Sequence, residues 1–555
     1  MEKRTLLAFF LSFLVLMVWM ALFAPKQNQR LPQRTTSGKT APEKVPENTG
    51  TPVGPGPAEA RGTAKQVPEQ PVKVDEKTVT VTTPLYRAVF SNAGPTIKSF
   101  ELKKYRQTIK KDSPLIQLVH LGPNPVDFMR MDFLAGSFGA GGTTICRVDK
   151  DTIRLKPGSA PENLVFRSLT PEGLSIVRTF RFYPNQYKID MNMTVINASG
   201  KPVRGAFTAQ IHALRPKGKQ RYYSFTGLAI LINGKLETIK IKKPSDEKVF
   251  KGRINWLAFE DDYFISAIVP EITTPGTFKG HLLPSGLLEG TFATPPVSLH
   301  PSQQISTLYT LYLGPRDLGI LKKVGKDLSK AVDFGWFDII AKALLYVLLF
   351  FNKFINNYGV SIILLTVLIK VLFWPLTHKS YKSMKEMQKI QPIMAKIREK
   401  YKDDKQKMNM EMMALYKTYK VNPMSGCLPM LIQLPVFFAL YRLLGNSIEL
   451  RHAPFMLWIK DLSAPDRLFT FPFSIPFMSP PYGIPVLTLL MGVSMFVQQK
   501  MTPTPGDPAQ AKIMMLMPVI FTFMFINFPS GLVLYWLVNN ILSIGQQYRI
   551  LKTSA

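Results

Sequence analysis

Ser361-Ile-Ile-Leu-Leu-Thr-Val-Leu-Ile-Lys370-Val-Leu-Phe-Trp-Pro375 is an apolar run interrupted by a single cation. It lies within Val360 to Leu376, close to the ~20 residues that cross a hydrocarbon core of roughly 30 Å. A charge near the bilayer centre costs roughly 2.5–3.5 kcal/mol on insertion scales, so Lys370 should face a partner or a wet cavity. The plainer reading is that its stem snorkels past Pro375 toward the polar stretch that follows. Thr366 lies one turn away on the same helical face.

Further apolar runs follow at Leu428 to Leu444, Ile484 to Val497, Leu516 to Phe528 and Leu532 to Ile544. The last two are separated only by Pro529-Ser-Gly531, a turn that permits nothing but an antiparallel helical hairpin. Several runs fall short of twenty residues, so they should extend with polar ends or sit in locally thin bilayer. Polar residues inside or at the ends of these runs are Gln433, Gln498, Gln499, Asn527, Asn539 and Asn540. Each can merely tie helices together. Taken with one cation and no embedded carboxylate, they point to a hydrated positive recess. Pro429, Pro435 and Pro518 would bend their helices and splay it open.

Thr377 to Gly426 carries 12 Lys+Arg against 5 Asp+Glu, a net +7, whereas Asn446 to Tyr482 sums to zero. The positive-inside rule puts the first loop in the cytoplasm and the second outside. The +7 loop reads as two helices joined at Lys402-Asp-Asp-Lys405, with seams Met384, Met387, Ile390, Met394, Ile397, Tyr401 and Met408, Met412, Leu415, Tyr419. Seven of its methionines (384, 387, 394, 408, 410, 412, 413) give an adaptable surface for varied partners. Its basic exterior suits anionic lipid or ribosomal RNA.

At the other end, Met1-Glu-Lys-Arg4 precedes an apolar run of nineteen residues, Leu6 to Ala24. A cleaved signal has a shorter apolar stretch of about 7–15 residues before an A-x-A-like site, which Leu22-Phe-Ala24 followed by Pro25 does not supply. A retained anchor over 1–24 with a cytoplasmic N-terminus is expected. Residues 25–75 are rich in Pro, Thr, Glu and Gly and form a linker that cannot bury a core. Ser37-Gly-Lys-Thr40 in it lacks the first glycine and the strand-turn-helix setting of a P-loop.

From 76 to 330 the pattern changes to short alternating β-formers: Val79-Thr-Val-Thr-Thr83, Tyr86-Arg-Ala-Val-Phe90, Leu174 to Phe182 and Lys188 to Ile196. Asn-Ala-Gly, Pro-Gly and Asn-Gly punctuate them, so a large β-sandwich or barrel-like domain is expected. Its net charge is no bar to an external position, because long domains translocate largely regardless of charge. Between it and the first run, residues 333–357 read as an interfacial amphipathic helix with the stripe Ile340, Leu344, Val347, Phe351.

Composition excludes other classes. The chain has 555 residues, a net charge of +32, 46% hydrophobic residues and only 2 Cys. Disorder and a disulfide framework are both out. Six scattered His, with no His-x-x-x-His, Cys-x-x-Cys or G-x-S-x-G, supply no catalytic or metal-binding constellation.

The sequence resembles the YidC/Oxa/Alb membrane protein insertases, closest to the Gram-negative YidC type. The resemblance rests on Pro423-Met-Ser-Gly-Cys-Leu-Pro429, Gln433-Leu-Pro-Val-Phe-Phe-Ala-Leu-Tyr441, Ala453-Pro-Phe-Met-Leu-Trp458-Ile-Lys-Asp-Leu462, Met517-Pro-Val-Ile-Phe521 and Phe528-Pro-Ser-Gly-Leu-Val-Leu-Tyr-Trp536. It implies a polytopic inner-membrane protein of six transmembrane helices. Five of them form an insertase core over 358–551, with the cytoplasmic helical hairpin 377–426, both termini cytoplasmic and a periplasmic galactose-mutarotase-like supersandwich. The implied function is insertion, folding and assembly of membrane proteins, alone or with the Sec translocon (SecYEG, SecDF), with no enzymatic step, cofactor or metal. The implied partners are nascent membrane proteins, the ribosome through the basic hairpin, and anionic lipids. By resemblance Lys370, Thr366, Gln433, Trp536 and Gln499 line a substrate groove, and Leu434, Phe437, Met524 and Phe528 form a hydrophobic slide. Lys370 stands where the family usually carries Arg, which keeps the charge but not the planar five-donor fork. The alternative is a membrane-anchored envelope protein with a carbohydrate-binding or mutarotase-like domain.

Overall fold

A computed structural model describes residues 76–122, 126–135, 145–214, 225–271, 275–421, 428–502 and 508–552. The expected anchor 1–24, the linker and Cys427 lie outside the described residues.

The β-domain follows from alternation. In the strand Leu174–Phe182 every second residue (Leu174, Ile176, Arg178, Phe180, Phe182) is buried. The neighbouring strand Lys188–Asn197 buries Ile189, Met191, Met193 and Val195. The two pair antiparallel, and Gln304–Pro315 pairs on the far side. These strands belong to a 14-stranded sheet that is really two halves joined by one long strand. In Lys248–Glu260, residues 248–253 pair with Pro275–Leu282 while 257–260 pair with Phe264–Pro270. A separate five-stranded sheet, which contains Tyr86–Ser91, packs Phe90 against Phe180 and Phe182 with ring centroids 5.3 and 5.6 Å apart. The expected sandwich is present. The inward Arg178 is satisfied by the Met131 carbonyl at 3.2 Å and an ion pair with Asp132.

After a short helix α1 (Leu318–Val324) the chain enters the helical part: α2 (Asp338–Ile355), α3 (Tyr358–Leu372), α4 (Trp374–Lys400), α5 (Lys405–Thr418), α6 (Leu428–Asn446), α7 (Val486–Met501), α8 (Pro508–Phe525) and α9 (Ser530–Lys552). Asn357 starts α3 by accepting from the Val360 amide, and Asp404 starts α5 by accepting from Lys407. Among the described residues no single helix is long and apolar enough to cross a membrane; α3 and α4 pass together but bend by 65° at Phe373. Leu431–Asn446, Val486–Met501 and Met514–Phe525 are shorter apolar helices.

Polarity in this half is reversed from that of a water-soluble bundle. Val371 and Leu372 on α3, Leu490 and Val493 on α7, and Ile520 and Phe523 on α8 are exposed, while Ser, Thr, Asn and Gln lie inside. Exposed apolar side chains on three helices around a polar interior are what a hydrocarbon solvent favours. The α4–α5 hairpin has a small core of its own, built from Met387, Ile390, Met394, Met412 and Leu415. On α2 the buried residues are Ala341, Leu345 and Leu348, beside the apolar stripe Ile340, Leu344, Val347, Phe351, of which Ile340 is exposed. One expectation is corrected. Tyr419 is 50% exposed, because α5 ends one residue before it.

The β-domain is tied to the helices by the connection after α6. Arg451 donates to the Arg106 carbonyl at 2.7 Å and lies over the Tyr263 ring, and the Tyr263 hydroxyl donates to the Gly445 carbonyl at 3.2 Å.

Near this junction Glu260 is 2% exposed, and burial pushes its carboxyl up to about 7 although Arg316 stands 3.6 Å away. Desolvation wins because Arg316 gives its hydrogen bonds to the Asp261 and Ala331 carbonyls. The folded state therefore holds a proton that the unfolded chain has released, and stability falls as pH rises from about 4.5 to about 7. Glu260→Gln should raise the unfolding midpoint at about pH 8 by an amount worth about 1–3 kcal/mol and reduce the loss between about pH 5 and about pH 8. An unaltered pH dependence in calorimetry of the full-length protein would remove Glu260 as its source.

Candidate substrate site: a polar seam between the helices

On α9 the residues Asn539, Asn540, Ser543, Gln546 and Gln547 are all buried. Their spacing is i, i+1, i+4, i+7, i+8, one face of a helix. Thr366 and Lys370 on α3, Thr377 on α4, and Thr488 and Ser494 on α7 are buried as well. Lys370 Nζ donates to Ser543 Oγ at 2.6 Å, and Ser543 in turn donates to the Asn539 carbonyl at 2.7 Å. Asn540 donates to Ser494 Oγ at 3.0 Å, and Gln546 donates to Thr377 Oγ1 at 3.0 Å. Gln547 donates to the Met501 carbonyl at 2.7 Å. The Thr366 hydroxyl turns back to the Ile362 carbonyl.

Lys370 occupies the last turn of α3, where the carbonyl end of the helix favours a cation. No carboxylate among the described residues pairs with it, and it is 8% exposed. Among the described residues it uses one of its three donors. Gln499 Nε2 on α7 and Gln547 Oε1 on α9 are buried without a hydrogen-bond partner among the described residues. The expected open recess is thus, in this structure, a closed polar seam, because α3, α4, α7 and α9 satisfy most of one another's polar groups. Its hydrogen-bonding capacity is incompletely used.

The other expected site residues form a second group. Gln433 Nε2 donates to the Tyr535 hydroxyl at 3.1 Å. Trp536 meets Phe437 edge-on at 4.9 Å and Phe525 at 5.1 Å; Phe528 lies 4.7 Å from Phe525. Among the four expected slide residues Met524 is 38% exposed, Leu434 and Phe528 are half-buried and Phe437 is buried in this aromatic cluster. The sequence reading missed Ser543, Gln546, Gln547, Ser494 and Thr377. The α9 stripe was the available signal, but it runs past Ile544, where the apolar run stops.

The end of the bundle holding the 446–485 connection is laced shut. Asp466 accepts from the Leu487 amide (2.5 Å) at the N-terminus of α7 and from Trp458 Nε1 (2.6 Å). Next to it, Arg467 donates to the Ile526 carbonyl at the C-terminal end of α8, 2.9 Å away. Neighbouring opposite charges thus complement the opposite dipole ends of two helices. The Ser530 and Gly531 amides donate to the Ala464 and Leu462 carbonyls. The other end is looser: α3 and α4 meet at a 65° bend, and a small pocket lies between Tyr381, Lys385 and Gln388 of α4 on one side and Gln547, Ile550 and Leu551 of α9 on the other.

Apolar outside, polar and cationic inside, closed at one end and joined to a β-sandwich: these features define a polytopic helical membrane protein built to hold polar groups within the bilayer. The description "YidC periplasmic domain" matches residues 78–347 and "60Kd inner membrane protein" matches 350–555. A Pelobacter propionicus protein named membrane protein insertase YidC is 43% identical, with 100% of this chain and 99% of that protein covered. The chain belongs to the YidC family of membrane protein insertases. A crystal structure of an active YidC insertase with its first transmembrane domain resolved is 19% identical, covers 86% of this chain and 93% of that one, and has a TM-score of 0.36. A galactose mutarotase related enzyme from Lactobacillus acidophilus is 10% identical, covers 42% of this chain and 97% of that one, and has a TM-score of 0.29.

Removing the Asp466 cap by Asp466→Ala should lower stability by about 1–2 kcal/mol, read as an earlier thermal midpoint in detergent. An unchanged midpoint would show that the cap adds nothing to the seal.

Proposed function

We propose that the Lys370 seam is where an incoming membrane protein is handled. Acidic or polar groups of the nascent chain replace Ser543 as the partner of the Lys370 ammonium and take up the unused donors and acceptors of Gln499 and Gln547. The observation that supports this is a buried cation with, among the described residues, no carboxylate partner and one hydroxyl contact. The chain is drawn part of the way across from the looser, cytoplasmic end, and its apolar segment leaves into lipid past Gln433, Trp536 and the residues expected to form the slide. Exchange of hydrogen bonds and burial of apolar surface suffice as the driving terms, so no covalent chemistry, cofactor or nucleotide is needed.

The finer topology belongs to the same reading: six spans with the N-terminal anchor, both termini cytoplasmic and the β-domain periplasmic. The +7 hairpin and the neutral 446–482 connection support that orientation. The exposed Met410 and Met413 beside the hairpin lysines suit the ribosome and anionic lipids as cytoplasmic partners. Cooperation with the Sec translocon fits an insertion path that opens sideways to lipid.

Lys370→Ala should slow insertion of a short single-span substrate with an acidic translocated tail about tenfold or more, since a charge-assisted contact is worth about 1.5–3 kcal/mol. Lys370→Arg should retain insertion. Ser543→Asp, which gives the ammonium a permanent counter-ion, should block it with the fold intact. Protease protection in proteoliposomes reads all three, and full insertion by Lys370→Ala would end the charge role.

A further inference from the structure

Between Arg467 and Lys500 the chain contains no charged residue. The first part of this interval is a small hairpin in which Leu468–Phe471 pairs with Tyr482–Ile484. Its side chains do not collapse onto the protein. Phe469 is 70% exposed, Phe473 61% and Phe477 85%, whereas the backbone beneath them is firmly held. Arg467 donates to the Pro481 carbonyl at 2.8 Å, Asn527 accepts from the Ser479 amide at 2.7 Å, and Asn527 donates to the Phe477 carbonyl at 2.8 Å. Phe469 and Phe477 have φ of 53° and 62°, a left-handed conformation that a bulky residue keeps only when its surroundings impose it. The hairpin is a rigid mount that points phenylalanines away from the fold.

We infer that this hairpin is a membrane anchor that seats Phe469, Phe473 and Phe477 in the outer leaflet beside the bundle. Two observations select lipid as the occupant. The exposed apolar surface continues from the hairpin through Ile484 into Leu489, Leu490 and Val493 of α7, the belt already assigned to hydrocarbon. The absence of charge across the whole interval leaves nothing to pair with a polar protein surface, and aromatic rings favour the boundary between headgroups and acyl chains. The consequence is mechanical. Because Asp466 and Arg467, at the foot of the hairpin, also hold the ends of α7 and α8, the lipid contact fixes the height at which the sealed end of the seam sits in the bilayer.

The inference rests on the helices spanning the membrane, so the test carries its own control. Full-length protein with Phe477→Trp, or with Val493→Trp on α7, is reconstituted into vesicles whose acyl chains are brominated either near the headgroup or near the chain end, and the wild-type emission is subtracted. The expected result is that the added emission of Phe477→Trp is lost chiefly with shallow bromines and that of Val493→Trp with deeper ones. Quenching of Val493→Trp without quenching of Phe477→Trp overturns the anchor alone; quenching of neither overturns the membrane placement as well. Phe477→Trp emission shielded from aqueous acrylamide yet untouched by bromine also overturns it, because a protein surface would then be the cover.

Discussion

An ammonium group placed among apolar helices has to be held by something, and the rest of this molecule is arranged around how little holds Lys370. With a carboxylate beside it the helices would pack as an inert ion pair, which only links segments. With no polar neighbour the charge would be expelled or neutralised. Ser543 gives an intermediate answer: one hydroxyl at 2.6 Å and the carbonyl end of α3 keep the cation in place without cancelling it. The side chains lining the seam are short or neutral, and each can exchange its partner for a group of similar polarity at modest cost.

The proposed role of the seam requires it to be asymmetric. A polar seam open at both ends would leak, and one closed at both would admit nothing. Asp466 and Arg467 close one end by joining the start of α7 to the end of α8 through their helix dipoles. At the other end α3 and α4 meet at a 65° bend, α4 stays bonded to α9 through Thr377 and Lys385, and the basic hairpin beyond has a separate core of its own. The β-domain meets the sealed end through Arg451 and Tyr263, on the side away from the hairpin.

Much of this was legible in the residues because the relevant periods are strong. Strict alternation in Leu174 to Phe182 fixed both the strand and its inward face, and Pro529-Ser-Gly531 left no choice but a hairpin of helices. Lys370 stood out because a lone charge in an apolar run has few explanations. Other features stayed hidden for a common reason: inside a membrane, apolar side chains face both lipid and neighbouring helices. Hence α2 packs Ala341, Leu345 and Leu348 beside its apolar stripe, and Phe437, which the resemblance places on the slide, is buried against Trp536. Gln546 and Gln547 lie past Ile544, where the apolar run ends, yet the structure turns them inward along the same stripe as Asn539 and Ser543. Closure of the recess was not legible at all, since it depends on hydrogen bonds from α9 to α3, α4 and α7, which lie far from it in sequence.

One-sided access to the seam is the claim on which the account stands, and thiol labelling tests it directly. Thr366 bonds only its own helix backbone and lies one turn from Lys370, so Thr366→Cys, in a chain whose Cys146 and Cys427 are replaced by Ser, places a reporter there with little disturbance. A membrane-impermeant maleimide added to oriented vesicles should react when it reaches the cytoplasmic face and remain inert from the opposite face. Reaction from the opposite face, or from neither, would contradict the account.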